Sequence, residues 1–196
     1  MRIFIALDIP AGIRARITEY MDRARGYAPE ARWGRPDGLH VTLKFVGEVN
    51  DAKVQEIRSA LAGVRAQPFE VKFSDAGFFP TPKSPRVFWI GVEGGESLSR
   101  LARAVDNITH QAGIAKEERA FSPHLTLARA GTGSGSAHQL RPLQYLLEKE
   151  EMPHFGTMTA QEFWLYRSEL ARGGAKYTKL ERYELVIPSN APAGAG

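Results

Sequence analysis

Two short segments stand out by residue type and spacing: His40-Val41-Thr42-Leu43 and His124-Leu125-Thr126-Leu127, 84 residues apart (positions 40 and 124). Each reads histidine, apolar, threonine, leucine. With nine threonines in 196 residues, a given histidine meets a threonine two places on about 5% of the time, and two such hits among five histidines arise by chance with a probability of about 0.02. In an extended strand successive side chains alternate, so His40 shares a face with Thr42 and His124 with Thr126, while Val41, Leu43, Leu125 and Leu127 turn to apolar packing. Two such strands side by side present two imidazoles and two hydroxyls to one cleft. Imidazole titrates near neutrality, so one ring can take a proton while the other gives one. Opening a cyclic phosphodiester asks for that pair, with base and acid on opposite sides of the phosphorus during in-line attack. The threonine hydroxyls, and Arg129 nearby, can bond the non-bridging oxygens as charge shifts. No carboxylate or metal is required.

The bland reading of either motif alone is a structural histidine in a strand that uses threonine as a common strand former; the matched pair carries the chemical reading. A metal centre fits less well, because neither motif holds a third ligand and no cysteine exists to supply one. His110, His138 and His154 lack the threonine partner and read as surface or structural residues.

The elements that must position these groups follow from the pattern. Arg2 to Leu7 reads as a strand, and Pro10 opens a helix reaching to about Arg25. Tyr27 to Pro36 reads as loop. His40 to Val46 is a strand, and Asn50 or Asp51 caps a helix carrying Val54, Ile57 and Leu61. Phe69 to Phe79 and Val87 to Val92 form a hairpin across the segment PTPKSPR, whose three prolines are expected outside the sheet. Ser97 starts a helix with Leu98, Leu101, Val105 and Ile108, and His124 to Ala128 is a strand. Gly131 to Ala137 has flexible-loop composition. Glu162 to Ser168 and Tyr177 to Val186 are strands around the turn Arg172, Gly173, Gly174. Strand and helix recur in the same order before and after the midpoint, which predicts an α+β protein of two related lobes with the site between them.

Bulk properties set the frame. At 196 residues and 43% hydrophobic content the chain can bury one good core or two small lobes. A net charge of +4 suits a polyanionic partner such as RNA, although Arg14, Arg16, Arg23 and Arg25 read as a solvated helix face. The absence of cysteine excludes disulfide scaffolds and thiol nucleophiles and fits a reducing compartment. The N-terminal apolar run, broken by Asp8 and Pro10, is too short for a signal peptide, and no segment is long and uncharged enough to span a bilayer.

The two motifs, with the blocks RIFIALDIP, RWGRPDGLHVTLKFVGEV, GFFPTPKSPRVFWIGV, FSPHLTLAR and LYRSELARGGAKYTKLERYEL, spread from Arg2 to Leu185. Together they resemble the two-histidine phosphoesterase superfamily and, within it, the RNA 2',3'-cyclic phosphodiesterase branch, also called 2'-5' RNA ligases. The resemblance implies a bilobal α+β fold: two pseudo-symmetric lobes of antiparallel strands, helices outside, a central cleft. Residues 1–187 would form one such domain with one motif per lobe, and 188–196 a disordered tail. It implies hydrolysis of a terminal 2',3'-cyclic phosphate to a 2'-phosphate, with reverse ligation as a weaker activity. No cofactor or metal is expected, the partners are RNA ends or nucleotides carrying a 2',3'-cyclic phosphate, and the setting is a cytoplasmic monomer. By the resemblance His40 is the acid that protonates O3', and His124 the base that activates water. Thr42, Thr126 and Arg129 hold the phosphate, and Phe45 stacks on the terminal base. Strict alternation puts Phe45 and Arg129 on the face away from their histidines, so they reach the cleft only through a twist or bulge. Two alternatives stay open: a phosphodiesterase for another small cyclic or 2'-5' linked nucleotide, and a non-catalytic module that binds RNA ends.

Overall fold

The computed structural model of the protein describes residues 1–131, 136–151, 153–171 and 174–186. The elements run β1 (Arg2–Asp8), α1 (Ala11–Arg25), β2 (Arg32–Trp33), β3 (His40–Glu48), α2 (Asp51–Leu61), β4 (Phe69–Thr81), β5 (Ser84–Glu93), α3 (Gly95–Gln111), β6 (His124–Arg129), α4 (Pro142–Lys149), β7 (His154–Ala160), β8 (Glu162–Ala171) and β9 (Gly174–Glu184). The helices form where apolar residues recur at helical spacing. In α1 the buried stripe is Ile13, Ile17, Tyr20, Met21 and Ala24. In α2, Asn50 caps the N-terminus by accepting from the Lys53 amide at 2.8 Å, and Val54, Ile57 and Leu61 face inward.

Two antiparallel sheets result, one per motif. The first has the order β3-β1-β8-β9 and the second β2-β6-β5-β4-β7. In each, the motif strand lies antiparallel beside a strand earlier in the chain, β1 for β3 and β5 for β6. Alternation then divides each sheet between core and cleft. On β1, Ile3, Ile5 and Leu7 enter the main core, while Phe4 and Ala6 join Tyr166 in a small cluster on the other face, against Trp164 and Tyr177. Val41, Leu43, Leu125 and Leu127 are all buried in the main core.

Four expectations need correction. The segment expected to be loop, Tyr27 to Pro36, contains β2, which pairs with the end of β6. The prolines expected outside the sheet do enter strands: Pro80 and Pro85 face each other at the outer end of the β4–β5 hairpin. Pro80 is tolerated because the pairing of β4 with β7 has already stopped at Ser74, and Pro85 because the pairing of β5 with β6 begins only at Val87, so no ladder bond on either far side needs the missing N–H. The sequence pattern also predicts neither α4 nor β7. β7, His-Phe-Gly-Thr-Met-Thr-Ala, has no Val or Ile, and its Gly156 has φ +123°. Finally, Arg14 does not belong to a solvated face, because it bonds the turn before β3; Arg16 is exposed as expected, although its Nε also donates to the Phe155 carbonyl. The expected flexible stretch at 131–137 lies largely outside the described residues, although Ser136 starts a 3-10 turn ending at Leu140. The turn at 172–174 lies partly, and the tail at 188–196 wholly, outside them. Among the described residues no helix is long and apolar enough to cross a membrane.

Candidate active site

His40 and His124 each open the strand that carries them, and each is held by the same short contact. The Nδ1 of His40 lies 2.7 Å from the Gly38 carbonyl, and that of His124 lies 2.7 Å from the Ser122 carbonyl. A carbonyl can only accept, so Nδ1 carries the hydrogen in both rings and Nε2 is left to exchange a proton with a ligand. One cleft of about 640 Å³ is lined by His40, Thr42, Phe45, His124, Thr126 and Arg129 together. All six candidate residues therefore meet in one place.

Phe45 and Arg129 arrive there through matched bulges. In the β1–β3 ladder Ile5 pairs with Lys44 and Ala6 with Thr42, which leaves Leu43 without an opposite number. In the β5–β6 ladder Phe88 pairs with Ala128 and Trp89 with Thr126, which leaves out Leu127. Each extra residue shifts the alternation by one. Two successive side chains are then buried, Leu43 with Lys44 and Leu127 with Ala128. The fifth residue after each histidine swings back to the histidine face. Phe45 is 59% exposed there. The Gly34 amide donates to the carbonyl of the bulged Leu127 at 2.7 Å, so the loop after β2 closes what the bulge opens.

The turn that holds His40 is itself clamped. Arg14, from α1, donates through Nη1 to the Pro36 and Leu39 carbonyls at 2.6 and 3.2 Å. Through Nη2 it reaches Asp8 Oδ1 at 2.7 Å and the Ile9 carbonyl at 3.1 Å. Lys179 bonds the other oxygen of Asp8 at 2.6 Å. Gly38 suits this turn because a Cβ there would sit 3.1 Å from the Tyr177 ring. Asp8, Arg14 and Lys179 are site residues that the motifs do not reveal. Their placement depends on contacts between elements far apart in the chain.

His40 is boxed by aromatic rings, with Phe4 at 4.6 Å, Tyr177 edge-on at 5.0 Å and Tyr166 at 6.0 Å between centroids. Burial pushes its pKa down to about 4, against the pull of the Gly38 carbonyl and of Asp8, and nearby Arg14 and His124 push the same way as burial. His124 stands edge-on to Phe79 at 4.9 Å. Its pKa is lowered as well, first by burial and then by Arg129, while the Ser122 carbonyl opposes the shift. The free protein thus holds two neutral imidazoles at neutral pH, where the sequence suggested one neutral and one charged. Two neutral rings with Nε2 free, two hydroxyls and a guanidinium make a site for an anion whose own charge can draw a proton onto one ring. His110 and His154 are exposed, as is His138.

The chain is also similar to known proteins. The model of the family described as LigT like Phosphoesterase matches twice, over residues 7–89 and 90–177, one match to each motif. A protein of Methanothermobacter thermautotrophicus named RNA 2',3'-cyclic phosphodiesterase is 35% identical over 189 residues, covering 94% of this chain and 99% of that one. One of the same name from Escherichia coli is 36% identical over 191 residues, covering 94% and 97%. Among solved structures, that of E. coli LigT complexed with 3'-AMP superimposes with a TM-score of 0.75 at 31% identity, covering 95% of this chain and 98% of that one.

Proposed function

Because the chain belongs to the LigT-like phosphoesterase family, we propose that it is an RNA 2',3'-cyclic phosphodiesterase whose proton transfers are carried by His40 and His124. The observation that supports this most is the pair of motif strands facing one cleft, each histidine with Nδ1 tied to the carbonyl two residues before it. In this reading a terminal cyclic phosphate sits between the rings, its free oxygens bonded by Thr42, Thr126 and Arg129, and its base lies on Phe45. His124 Nε2 takes a proton from water as the water oxygen bonds to phosphorus. The P–O3' bond breaks on the opposite side, and His40 Nε2–H gives its proton to O3'. The product keeps its phosphate on O2'. A 5'-hydroxyl in the place of water would give a 2'-5' link by the same two transfers. We read residues 1–187 as one such domain, acting as a cytoplasmic monomer in keeping with its lack of cysteine.

The test is the position of the phosphate after hydrolysis of an oligonucleotide ending in a 2',3'-cyclic phosphate, read by phosphorus NMR. A 2'-phosphate is expected. His40→Ala and His124→Ala are each expected to cost at least about 10² in kcat, because each removes one proton-transfer partner. A 3'-phosphate overturns the role assignment. Retained RNA-end binding with no turnover of any cyclic phosphate favours the binding-module alternative.

A further inference from the structure

The cleft holds more positive charge than one cyclic phosphate uses. Its lining includes Arg2, Arg32, Arg35 and Arg129, and among the described residues no aspartate or glutamate, although the chain has 22 acidic residues. A cyclic phosphodiester carries a single negative charge, and Arg129 together with the two threonines suffices for it. Arg35 is already bonded to Asp37 at 3.0 Å. That leaves Arg2 and Arg32, both exposed, with no role at the reacting phosphate. Arg32 donates through Nη2 to the Ala130 carbonyl at 3.2 Å, which orients the guanidinium without neutralising it.

Their places in the sheets give them a direction. Arg32 stands opposite Arg129 in the β2–β6 ladder, next outward from the motif strand. Arg2 lies at the far end of β1 from Asp8, the residue opposite His40. The six-residue step from Asp8 to Arg2 spans about 20 Å, farther than one nucleoside reaches from a phosphate held at the histidines. Phe45, opposite Phe4, stands between the two ends. Among the described residues Arg2 makes no ion pair, even though Glu48 lies across from it in the ladder. An uncompensated guanidinium from each sheet, in a cleft whose described lining holds no carboxylate, is an arrangement that lowers the energy of a further anion there.

We propose that Arg2 and Arg32 form a second phosphate subsite, which takes the phosphodiesters on the 5' side of the terminal nucleotide and makes the enzyme prefer RNA strands over mononucleotides. This rests on the phosphodiesterase reading above. The strand would enter with its cyclic end at the histidines, its last base on Phe45, and its next phosphates between the two sheets at the arginine end. These contacts are to backbone and carry no base preference.

The experiment compares kcat/KM on a 2',3'-cyclic mononucleotide with that on a trinucleotide ending in a 2',3'-cyclic phosphate. It uses the unaltered protein, Arg2→Gln and Arg32→Gln, over a range of salt. The unaltered protein is expected to favour the trinucleotide by about tenfold or more at low salt, with a preference that shrinks as salt rises. Each substitution is expected to lower the trinucleotide-to-mononucleotide ratio about three- to tenfold, and to reduce the salt slope by about 0.7 for each phosphate that the variant no longer neutralises. Equal rates on both substrates in the unaltered protein, or a ratio that neither substitution moves, overturns the subsite and leaves the phosphodiesterase reading standing. No turnover of either substrate by the unaltered protein overturns both.

Discussion

His40 and His124 share the same carbonyl contact but not the same surroundings. His40 is enclosed by Phe4, Tyr166 and Tyr177, and its pKa is pushed down to about 4 by burial above all. His124 is also lowered, again mainly by burial. The proposed acid is therefore a poor proton carrier until a phosphate arrives, because the monoanion favours the imidazolium beside it. This has a direct consequence for pH. The profile of kcat/KM reports the free protein, and its singly protonated histidine pair exists between two apparent constants that both lie below the ordinary value of about 6.5. Its optimum is expected on the acid side of about pH 6.5, falling on either side, while the kcat optimum is displaced to higher pH by the bound charge. Initial rates on a cyclic-phosphate oligonucleotide across the pH range check both curves. A kcat/KM optimum above about pH 8 contradicts the depressed pair.

At the level of elements, the decisive devices are two bulges and one clamp. The bulges at Leu43 and Leu127 reverse the alternation late in each motif strand, and so bring Phe45 and Arg129 to the cleft. The clamp is Arg14, which joins α1 to the turn before β3 and to the end of β1 with four hydrogen bonds. Gly38 lies in that turn, and its carbonyl fixes the His40 tautomer. Arg14→Ala is expected to release the turn, so that kcat falls at least about tenfold while KM changes much less, since the substrate's own contacts remain. Steady-state kinetics with and without added guanidinium check this, and partial recovery of kcat by guanidinium is the expected signature. A change in KM alone would mean that Arg14 serves binding instead.

Across the whole molecule, the two halves meet through a buried charge. Lys44, with its side chain 3% exposed, bonds Asp106 of α3 at 2.5 Å and the Ala115 carbonyl at 2.7 Å. Asp106 also accepts from the Glu117 amide at 3.1 Å. The first motif strand is thereby tied to the segment that leads into the second. Strict alternation would put Lys44 on the cleft face with His40 and Thr42, and the bulge sends it into the core instead. Partial burial raises the Asp106 pKa, but the hydrogen bonds from Lys44 and the Glu117 amide and the Lys44 charge outweigh it and hold the carboxyl below its usual range. Lys44→Met leaves that carboxylate and a carbonyl without their cation, and is expected to cost about 2 to 4 kcal/mol. Urea unfolding checks the value. Replacing both partners, Lys44→Met with Asp106→Leu, is expected to recover part of the loss, because the desolvated charge goes with its partner.

The sequence by itself determined the chemical pair and the face it occupies. His-x-Thr puts two polar groups on one side of a strand by a period of two, a local property that needs no knowledge of neighbours. The same holds for the helices, whose buried stripes follow the spacing of Ile13, Ile17 and Met21, or of Val54, Ile57 and Leu61. Tertiary structure decided the rest. Whether Phe45 and Arg129 reach the cleft depends on a bulge, and a bulge is a relation between two paired strands that neither strand encodes alone. That Arg14 is a clamp and not a solvated charge depends on where α1 docks against the Pro36–Leu39 turn. The low pKa of His40 is set by rings from β1, β8 and β9, up to 137 residues away along the chain (Tyr177 from position 40). Burial and pairing are properties of the packed molecule, and they turn two ordinary imidazoles into a pair poised for an anion.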